Sequence, residues 1–309
     1  MNETILKIQD KFSKEANCLV LADEFKFFEV NDSCMTLIKN KNSNKEDEIF
    51  FGFTKLSNNF EEVEILFNQV KEYMKSNNIK KLIGPINYCS WFSYRFLTNK
   101  LSSMKIYPEQ NNEDYYIDFL NKLGFEKTHI YESSLTNLND EIHRKSFKIY
   151  DKIKKGGRYD IKMYKKGEET EEILKQIFDI SSNSFKDKPF YTDIPFDLFK
   201  GIYMEWMKEI DYKLFTCVDK QNTIIGYALC YENPFDNKNF IIKTTAFKKD
   251  NTNKLLPVAC RYMGHQYAIE KGYETALYHY QYVENKVSIK MTSKESKKIR
   301  EYGVFTYSM

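Results

Sequence analysis

The sequence predicts an α/β fold (α+β, with a mixed sheet). A mixed sheet and the helices that cover it are predicted twice along the chain. The 309 residues exceed the size at which one core normally stops growing. Short apolar runs typical of strands alternate with segments that have the i, i+3, i+4, i+7 spacing of amphipathic helices. The order of elements in the first half returns in the second, and a repeat of that length indicates two related domains.

The first copy opens with a predicted hairpin, residues 25–30 and 34–39, around a polar turn. A strand over 49–54 follows, and after a polar loop comes a helix with Asn59 as its expected N-cap. The next strand begins at Leu82. The predicted apolar face of the helix consists of Val63, Leu66, Phe67, Val70, Tyr73 and Met74.

The second copy repeats this order. Residues 214–218 and 223–230 form the predicted hairpin, 240–247 the next strand, and a helix begins near Lys254 and leads to a strand over 275–280. These elements match the first copy at nearly constant offsets. A strand over 159–163 and two helices precede the second hairpin, whereas the first copy has only residues 1–22 in that place, so its front end is shortened.

We therefore predict a first domain over residues 1–140, a linker over 141–157 and a second domain over 158–309. The linker is polar, rich in lysine and ends in Gly156-Gly157. We interpret the glycine pair as a hinge or turn, because no strand precedes it and no GK[ST] sequence follows, as a phosphate-binding loop would require.

Composition and charge exclude several classes of protein. The net charge of +3 and the pI of 8.3 do not favour a nucleic-acid partner. The sequence has neither the pattern of a signal peptide nor an apolar run long enough to span a membrane, so we expect a cytoplasmic protein. Six cysteines without a CxxC pair read as reduced core residues, and four histidines without HxxxH spacing predict no metal site.

Local strings strengthen the element order. Residues 118–125 read Asp-Phe-Leu-Asn-Lys-Leu-Gly-Phe, residues 285–288 read Asn-Lys-Val-Ser, and residues 84–87 read Gly-Pro-Ile-Asn. Together with the order of elements, these strings make most of the chain resemble a tandem protein with two GNAT-like acyl-CoA N-acyltransferase folds. The last string is similar to a motif of uncharacterised tandem GNAT-like proteins. A shared fold does not by itself carry an activity.

The resemblance implies acetyl-CoA or another acyl-CoA as co-substrate, without a metal. The pyrophosphate of the cofactor would lie where a loop enters a helix, because free N–H groups and a positive dipole end meet there. The family's glycine-rich loop is replaced here by residues 248–255, which contain three lysines and no glycine. The residues assigned to the cofactor are Thr245, Phe247, Lys248, Lys249, Asn253, Lys254, Leu255, Asn285 and Ser288.

The catalytic groups that the resemblance implies are replaced as well. The fourth strand of the second copy carries Thr244 where the family often has a glutamate, and the family's helix tyrosine corresponds to Thr292. We predict His279, Glu284 and Thr244 as catalytic residues, since a histidine titrates near neutral pH without tuning. The alternative is that His279 is one of several aromatic strand residues beside Tyr280.

In the first copy, the corresponding place leads into an aromatic segment with one amide and one guanidinium group. Asn87, Trp91, Tyr94 and Arg95 are the predicted pocket for a planar or anionic acceptor. The alternative is that the aromatic residues form interdomain core.

The leading functional hypothesis is an N-acyltransferase, a transferase of the acetyltransferase type, that moves an acyl group from a CoA thioester to an amine of a small molecule or peptide. A second hypothesis replaces free CoA with an acyl carrier protein or aminoacyl-tRNA as donor. A third is a non-catalytic binding or scaffold protein with a GNAT fold. An open gap between the fourth and fifth strands, lined by Thr244, His279 and Glu284, favours an enzyme, and a gap filled by aromatic residues favours a scaffold.

Overall fold

A computed structural model describes residues 2–138, 141–249, 253–286, 289 and 296–309. The elements of the first half are, in order, α1 (Glu3–Lys11), a 3-10 helix (Lys14–Leu21), β1 (Glu24–Val30), β2 (Ser33–Lys39), β3 (Glu48–Lys55), α2 (Phe60–Ser76), β4 (Lys81–Gly84), β5 (Phe96–Lys100), α3 (Tyr115–Lys122) and β6 (Glu126–Asn137). Those of the second half are α4 (Glu141–Lys155), β7 (Tyr159–Lys165), α5 (Glu171–Phe185), α6 (Phe196–Met207), β8 (Tyr212–Asp219), β9 (Ile224–Glu232), β10 (Asn239–Phe247), α7 (Leu256–Glu270), β11 (Thr275–Tyr282) and β12 (Ser296–Ser308).

The predicted α/β class and the predicted local elements are confirmed. The first hairpin pairs Glu24 with Lys39 through Val30 with Ser33, and Asn31 takes the left-handed conformation (φ 48°) that a tight turn requires. The side chain of Asn59 accepts a hydrogen bond from the Glu61 amide, as expected of an N-cap. The sequence pattern thus located the elements well because these contacts are local.

The strands form one mixed sheet in the order β1-β2-β3-β4-β12-β6-β11-β10-β9-β8-β7, and β5 pairs with part of β12. Each half contains one parallel pair, β3 with β4 and β10 with β11. The last strand of each half does not join the parallel pair of its own half. Instead, β6 of the first half pairs with β11, and β12 of the second half pairs with β4.

The exchanged strands β6 and β12 also pair with each other, antiparallel, from Ser296↔Thr136 to Thr306↔Glu126. Every strand on one side of the sheet is therefore connected to the other side through this central ladder. The halves cannot separate without exposing backbone N–H and C=O groups that the exchange satisfies. The exchange thus makes the two halves one structural unit.

One face of the sheet carries a core shared by both halves. Its buried residues include Phe50 and Ile86 from the first half and Phe199 and Ile241 from the second. On the opposite face, α2 and α3 cover the first half, and α7 covers the second. The shared core arises because α1 and the helices α5 and α6 bury their apolar sides on the same face.

The segment predicted to be a linker contains helix α4, which packs against α7. Ile153 shares a buried cluster with Leu256 and Ala259, and the rings of His143 and Tyr262 stack with centroids 5.0 Å apart. Most of the predicted linker over 141–157 is thus helical, and the apolar side of α4 covers α7. The turn at Gly157 has the positive φ (60°) expected of a glycine. The domain boundaries themselves stay a prediction.

The six cysteines are free thiols and all are buried. Across the described ranges, none of the helices combines the length and the apolar character needed to cross a membrane. In the same part of the chain, no three residues of the His, Cys, Asp and Glu types come together as a metal site.

Because β6 and β12 connect both halves, we expect urea unfolding to be a single transition, with tryptophan fluorescence and far-UV circular dichroism changing together. Val304→Asp, at a fully buried position of β12, should lower the free energy of unfolding by ~3 kcal/mol or more, because it buries an unpaired charge. The control Val20→Asp changes a side chain that is 69% exposed and should have little effect. Two separated transitions in the wild type would contradict the account.

Candidate active site

A wedge opens in the second half where β10 and β11 stop pairing. The two strands are in parallel register only from Asn239↔Thr275 to Ile242↔Tyr278. Beyond that point β10 continues along β9, and β11 continues along β6. The fourth and fifth strands of this copy therefore diverge beyond Ile242 and Tyr278.

Both strands carry a β-bulge at the start of the wedge. The register of β10 with β9 shifts between Ile242 and Thr244, which leaves Lys243 without a partner residue in either ladder. The register of β11 with β6 shifts between Tyr278 and Gln281. Tyr280 lies in this second bulge with a φ of 60°, an uncommon value for a residue with a side chain. A β-bulge changes the direction in which the side chains of its strand point. Lys243 Nζ lies 4.3 Å from the centroid of the Tyr280 ring, so the two bulged residues are in contact.

Arg95 enters the wedge from the first half. Its guanidinium carbon lies 3.9 Å from the centroid of the Tyr94 ring, 3.8 Å from that of Tyr280 and 4.6 Å from that of Tyr131. The residue is only 7% exposed, and its Nε and Nη1 atoms have no hydrogen-bond partner. We call Lys243, Arg95 and these three tyrosines the cationic centre.

The loop between β4 and β5 determines the position of Arg95. Ile86 and Tyr94 form an antiparallel bridge, and the Arg95 amide donates to the Pro85 carbonyl over 2.9 Å. Arg95 has a φ of 71°, a left-handed conformation that costs about 1 kcal/mol or more in a residue with a side chain. The loop therefore holds an unfavourable backbone conformation that directs a charged side chain into the centre.

Burial and charge repulsion act together on Lys243. Burial lowers the pKa of its amine well below the ordinary lysine value, and the positive charge of Arg95 lowers it further. No hydrogen bond or ion pair to the amine is found within the described ranges. A larger fraction of Lys243 is therefore neutral at physiological pH than of an ordinary lysine. Burial raises the pKa of Tyr280, so this phenol stays protonated.

His279 forms the back wall of the centre. Its Nε2 lies 2.8 Å from the Pro108 carbonyl and its Nδ1 lies 2.9 Å from Ser133 Oγ. Because a carbonyl only accepts, Nε2 carries the proton and Nδ1 accepts from the serine hydroxyl. Burial lowers the pKa of the imidazole well below its ordinary value, and the charge of Lys243 adds to this effect. Both ring nitrogens of the predicted base are therefore engaged by the protein in this conformation.

The other predicted catalytic residues lie at the edge of the wedge. Thr244 is half-buried next to Lys243 on β10. Glu284 is exposed and accepts a hydrogen bond from the Tyr282 hydroxyl over 2.8 Å. Its carboxylate is thus engaged outside the cationic centre.

The residues assigned to a cofactor surround the beginning of α7. Thr245, Lys249, Lys254 and Leu255 are exposed, while Phe247 and Lys248 are half-buried. Lys249 is paired with Asp187, the Lys248 amide donates to the Ile225 carbonyl over 2.9 Å, and the side chain of Asn253 accepts from the Leu255 amide. The Asn285 amide donates to the Tyr282 carbonyl in the turn after β11. Ser288 lies outside the described residues, as does Thr292.

The predicted acceptor residues separate into two groups. Tyr94 and Arg95 belong to the cationic centre. Trp91 instead donates from Nε1 to the Thr192 carbonyl and packs against Phe199 of α6, which corresponds to the interdomain-core alternative. Asn87 accepts a hydrogen bond from the Phe53 amide over 2.7 Å and so connects its loop to β3.

In the first half, described over residues 2–138, the corresponding place is closed. By the register of the two parallel pairs, Gly52 on β3 occupies the place of Lys243 on β10. A Cβ atom at Gly52 would lie 2.5 Å from the Ile86 carbonyl oxygen, and the Ile86 amide donates to the Phe51 carbonyl over 2.7 Å. The chain after β4 therefore closes the gap between β3 and β4. The two related places therefore differ in construction, since backbone fills the first and the cationic centre occupies the second.

Lys243 was not among the predicted site residues, although the sequence contains a signal. It is a lysine that directly follows the buried Phe240, Ile241 and Ile242, and a charged residue is uncommon in such a strand. The family resemblance implies a carboxylate on this strand and gives a basic group no role there.

The fold defines the class of protein: the chain has a GNAT-like fold. It is similar to the solved structure of a tandem GNAT protein from the clavulanic acid biosynthesis pathway, with 6% identity, a TM-score of 0.52, and coverage of 95% of this chain and 86% of that chain. It also matches L-PGS from Bacillus licheniformis (10% identity, TM-score 0.47, 100% and 92% covered) and FemX (12%, 0.45, 100% and 97%). No protein-family model and no curated protein matches the chain.

We expect Lys243→Met to raise the free energy of unfolding at pH 7 by about 1 kcal/mol or more, because it removes an uncompensated charge from a buried place. The folded-state pKa of Lys243 lies below the unfolded one, so its unfavourable contribution is relieved as pH rises from the folded pKa towards about 10.4. The variant should lack that rise in stability.

The matched control is Lys220→Met, at an exposed lysine in the turn after β8. Its stability and pH profile should follow the wild type in chemical denaturation between pH 6 and 10. Equal destabilisation of both variants, or a wild-type profile that is flat above pH 7, would contradict the assignment of a buried cation.

Proposed function

We propose that this chain is an N-acyltransferase and that transfer takes place in the wedge between β10 and β11. The observation that carries the proposal is Lys243, a half-buried lysine at a β-bulge whose amine has a lowered pKa and no partner among the described residues. Acyl transfer to an amine requires a group that accepts a proton, and a lowered pKa makes more of the Lys243 amine available in its neutral, proton-accepting form. Likeness to other structures supports the fold alone, so the activity is argued from the site.

The proposed step is a direct attack on a thioester. The neutral amine of the acceptor attacks the thioester carbonyl carbon, the C–N bond forms, and the carbonyl electron pair moves onto oxygen. Lys243 takes the proton that the attacking nitrogen loses. The tetrahedral intermediate then expels the thiolate by breaking the C–S bond, and Lys243 returns the proton to sulfur. Lys243 is thereby neutral again, and no metal is needed for this balance.

The proposed donor is a CoA thioester whose phosphates lie near the beginning of α7. Lys248 and Lys254 provide positive charge there, whereas the first amides of α7 already donate to the Asn253 and Leu255 carbonyls. Acetyl-CoA or a longer acyl-CoA is the proposed co-substrate. An acyl carrier protein or aminoacyl-tRNA would bring the same chemistry with a different carrier.

A second candidate is a binding protein without turnover. Tyr280 and Arg95 lie in the wedge, and aromatic residues there were the feature expected of a scaffold. In that case the same cations would bind an anionic ligand and no acyl group would move. Binding without product formation would identify this alternative.

The test combines binding with transfer. Millimolar acetyl-CoA or a longer acyl-CoA should stabilise the chain by mass action, by ~2.7 kcal/mol at about 100 times Kd. Acylated products are then sought by mass spectrometry with a pooled set of primary amines. Lys243→Gln should lower kcat/KM about 100-fold or more, and Lys220→Gln should leave it unchanged.

Two outcomes would contradict the proposal. Transfer that is equally fast in Lys243→Gln would exclude Lys243 as the proton acceptor. Stabilisation by no acyl-CoA would exclude free CoA as donor, and the assay would then be repeated with an acyl carrier protein and with aminoacyl-tRNA.

A further inference from the structure

We infer that the acceptor is an amino carboxylate, a compact molecule whose amine faces Lys243 while its own carboxylate binds Arg95. This inference rests on the proposed function for the role of the amine. It concerns a separate property, the charge that the acceptor must carry.

The first argument is the missing counter-ion of Arg95. A buried guanidinium normally pairs with a carboxylate, because leaving its N–H groups unsatisfied is costly. Arg95 has no ion pair within the described part of the chain, and its Nε and Nη1 have no acceptor. The nearby Glu109 carboxylate already accepts from Arg300 Nε over 2.7 Å and from the Tyr302 hydroxyl over 2.9 Å. The protein thus does not supply the anion that Arg95 requires.

The second argument is the aromatic surroundings of the guanidinium group. Its central carbon lies 3.9 and 3.8 Å from the centroids of the Tyr94 and Tyr280 rings, and 4.6 Å from that of Tyr131. These rings supply no oxygen acceptor to the N–H groups at Nε and Nη1, which have no partner. A planar carboxylate fits two parallel N–H groups, which makes it the anion that this geometry favours.

The third argument is the common position of the two cations. Arg95 and Lys243 both contact the Tyr280 ring, with distances of 3.8 and 4.3 Å to its centroid. The charges of Lys243, Arg95 and Arg300 all lower the pKa of His279, so the field in the centre is positive. An anion is attracted to such a place, and a molecule bound at Arg95 need only be short to present an amine to Lys243. An α- or β-amino acid has that length.

The test uses matched ligand pairs and needs no acyl donor. Pooled L-amino acids with glycine and β-alanine are compared with the corresponding amides by thermal shift and saturation-transfer NMR. The acids should bind and the amides should not. Arg95→Met keeps an apolar side chain between the rings but removes the charge, and it should weaken binding about 10- to 100-fold. Arg95→Lys should retain part of the affinity, because a lysine keeps the charge without the planar fork.

Circular dichroism and the melting temperature show whether the Arg95→Met variant folds. We expect this variant to fold, because the substitution removes an unpaired charge. If it does not fold, the acid–amide comparison on the wild type still decides the question. Equal binding of acids and amides, unchanged affinity in folded Arg95→Met, or binding of phosphoethanolamine but of no amino carboxylate would overturn the inference.

The two proposals fail separately. Amino acids that bind through Arg95 but are never acylated would leave this inference standing as a binding site and refute the transfer reaction. Acylation of amines that lack a carboxylate, with no preference for amino acids, would refute this inference and leave the transferase intact.

Discussion

The pairing of β6 with β12 is the constraint on which the rest of the structure depends. Because each strand leaves its own half and joins the parallel pair of the other, the two halves share one sheet and one core. The exchange also builds the site. It places Tyr131 of β6 beside β11, and so brings Arg95 from the first half against Tyr280 from the second. A separate second half would lack the guanidinium group and one wall of the wedge.

The cationic centre is unfavourable for stability and is retained at the junction of the halves. Among the described residues, the buried Arg95 guanidinium has no carboxylate partner, and the half-buried Lys243 lies on the same tyrosine ring. Arg95 and Tyr280 also adopt left-handed backbone conformations. Strain and unpaired charge of this kind concentrate at functional places, where a ligand supplies what the protein omits. The first half differs, since the backbone at Ile86 packs against Gly52 and closes the gap between β3 and β4. The gap beside the parallel strand pair is therefore closed by backbone in the first half and contains the cationic centre in the second.

The sequence located most elements because their signals are local. The helix after Asn59, the two hairpins and the repeat follow from apolar spacing and turn residues, and Arg95 was identified as a residue that could meet an anion. The strand exchange could not be predicted, since periodicity shows that residues 126–137 can form a strand but not which strand it pairs with. The hydrogen-bond partners of Trp91, Asn87 and His279 could not be predicted for the same reason, because each lies more than 30 residues away along the chain. The alternatives of interdomain core for Trp91 and of an aromatic strand residue for His279 were left open for that reason.

The state of Lys243 tests the account most directly. After reductive ¹³C-methylation of the lysines, NMR can follow each amine with pH, and the signal absent from Lys243→Gln is that of Lys243. We predict that it titrates well below the ordinary lysine value of about 10.4 and moves towards that value in Arg95→Met, where the neighbouring charge is gone. A Lys243 signal that titrates together with the surface lysines, and does not respond to the loss of Arg95, would contradict the account.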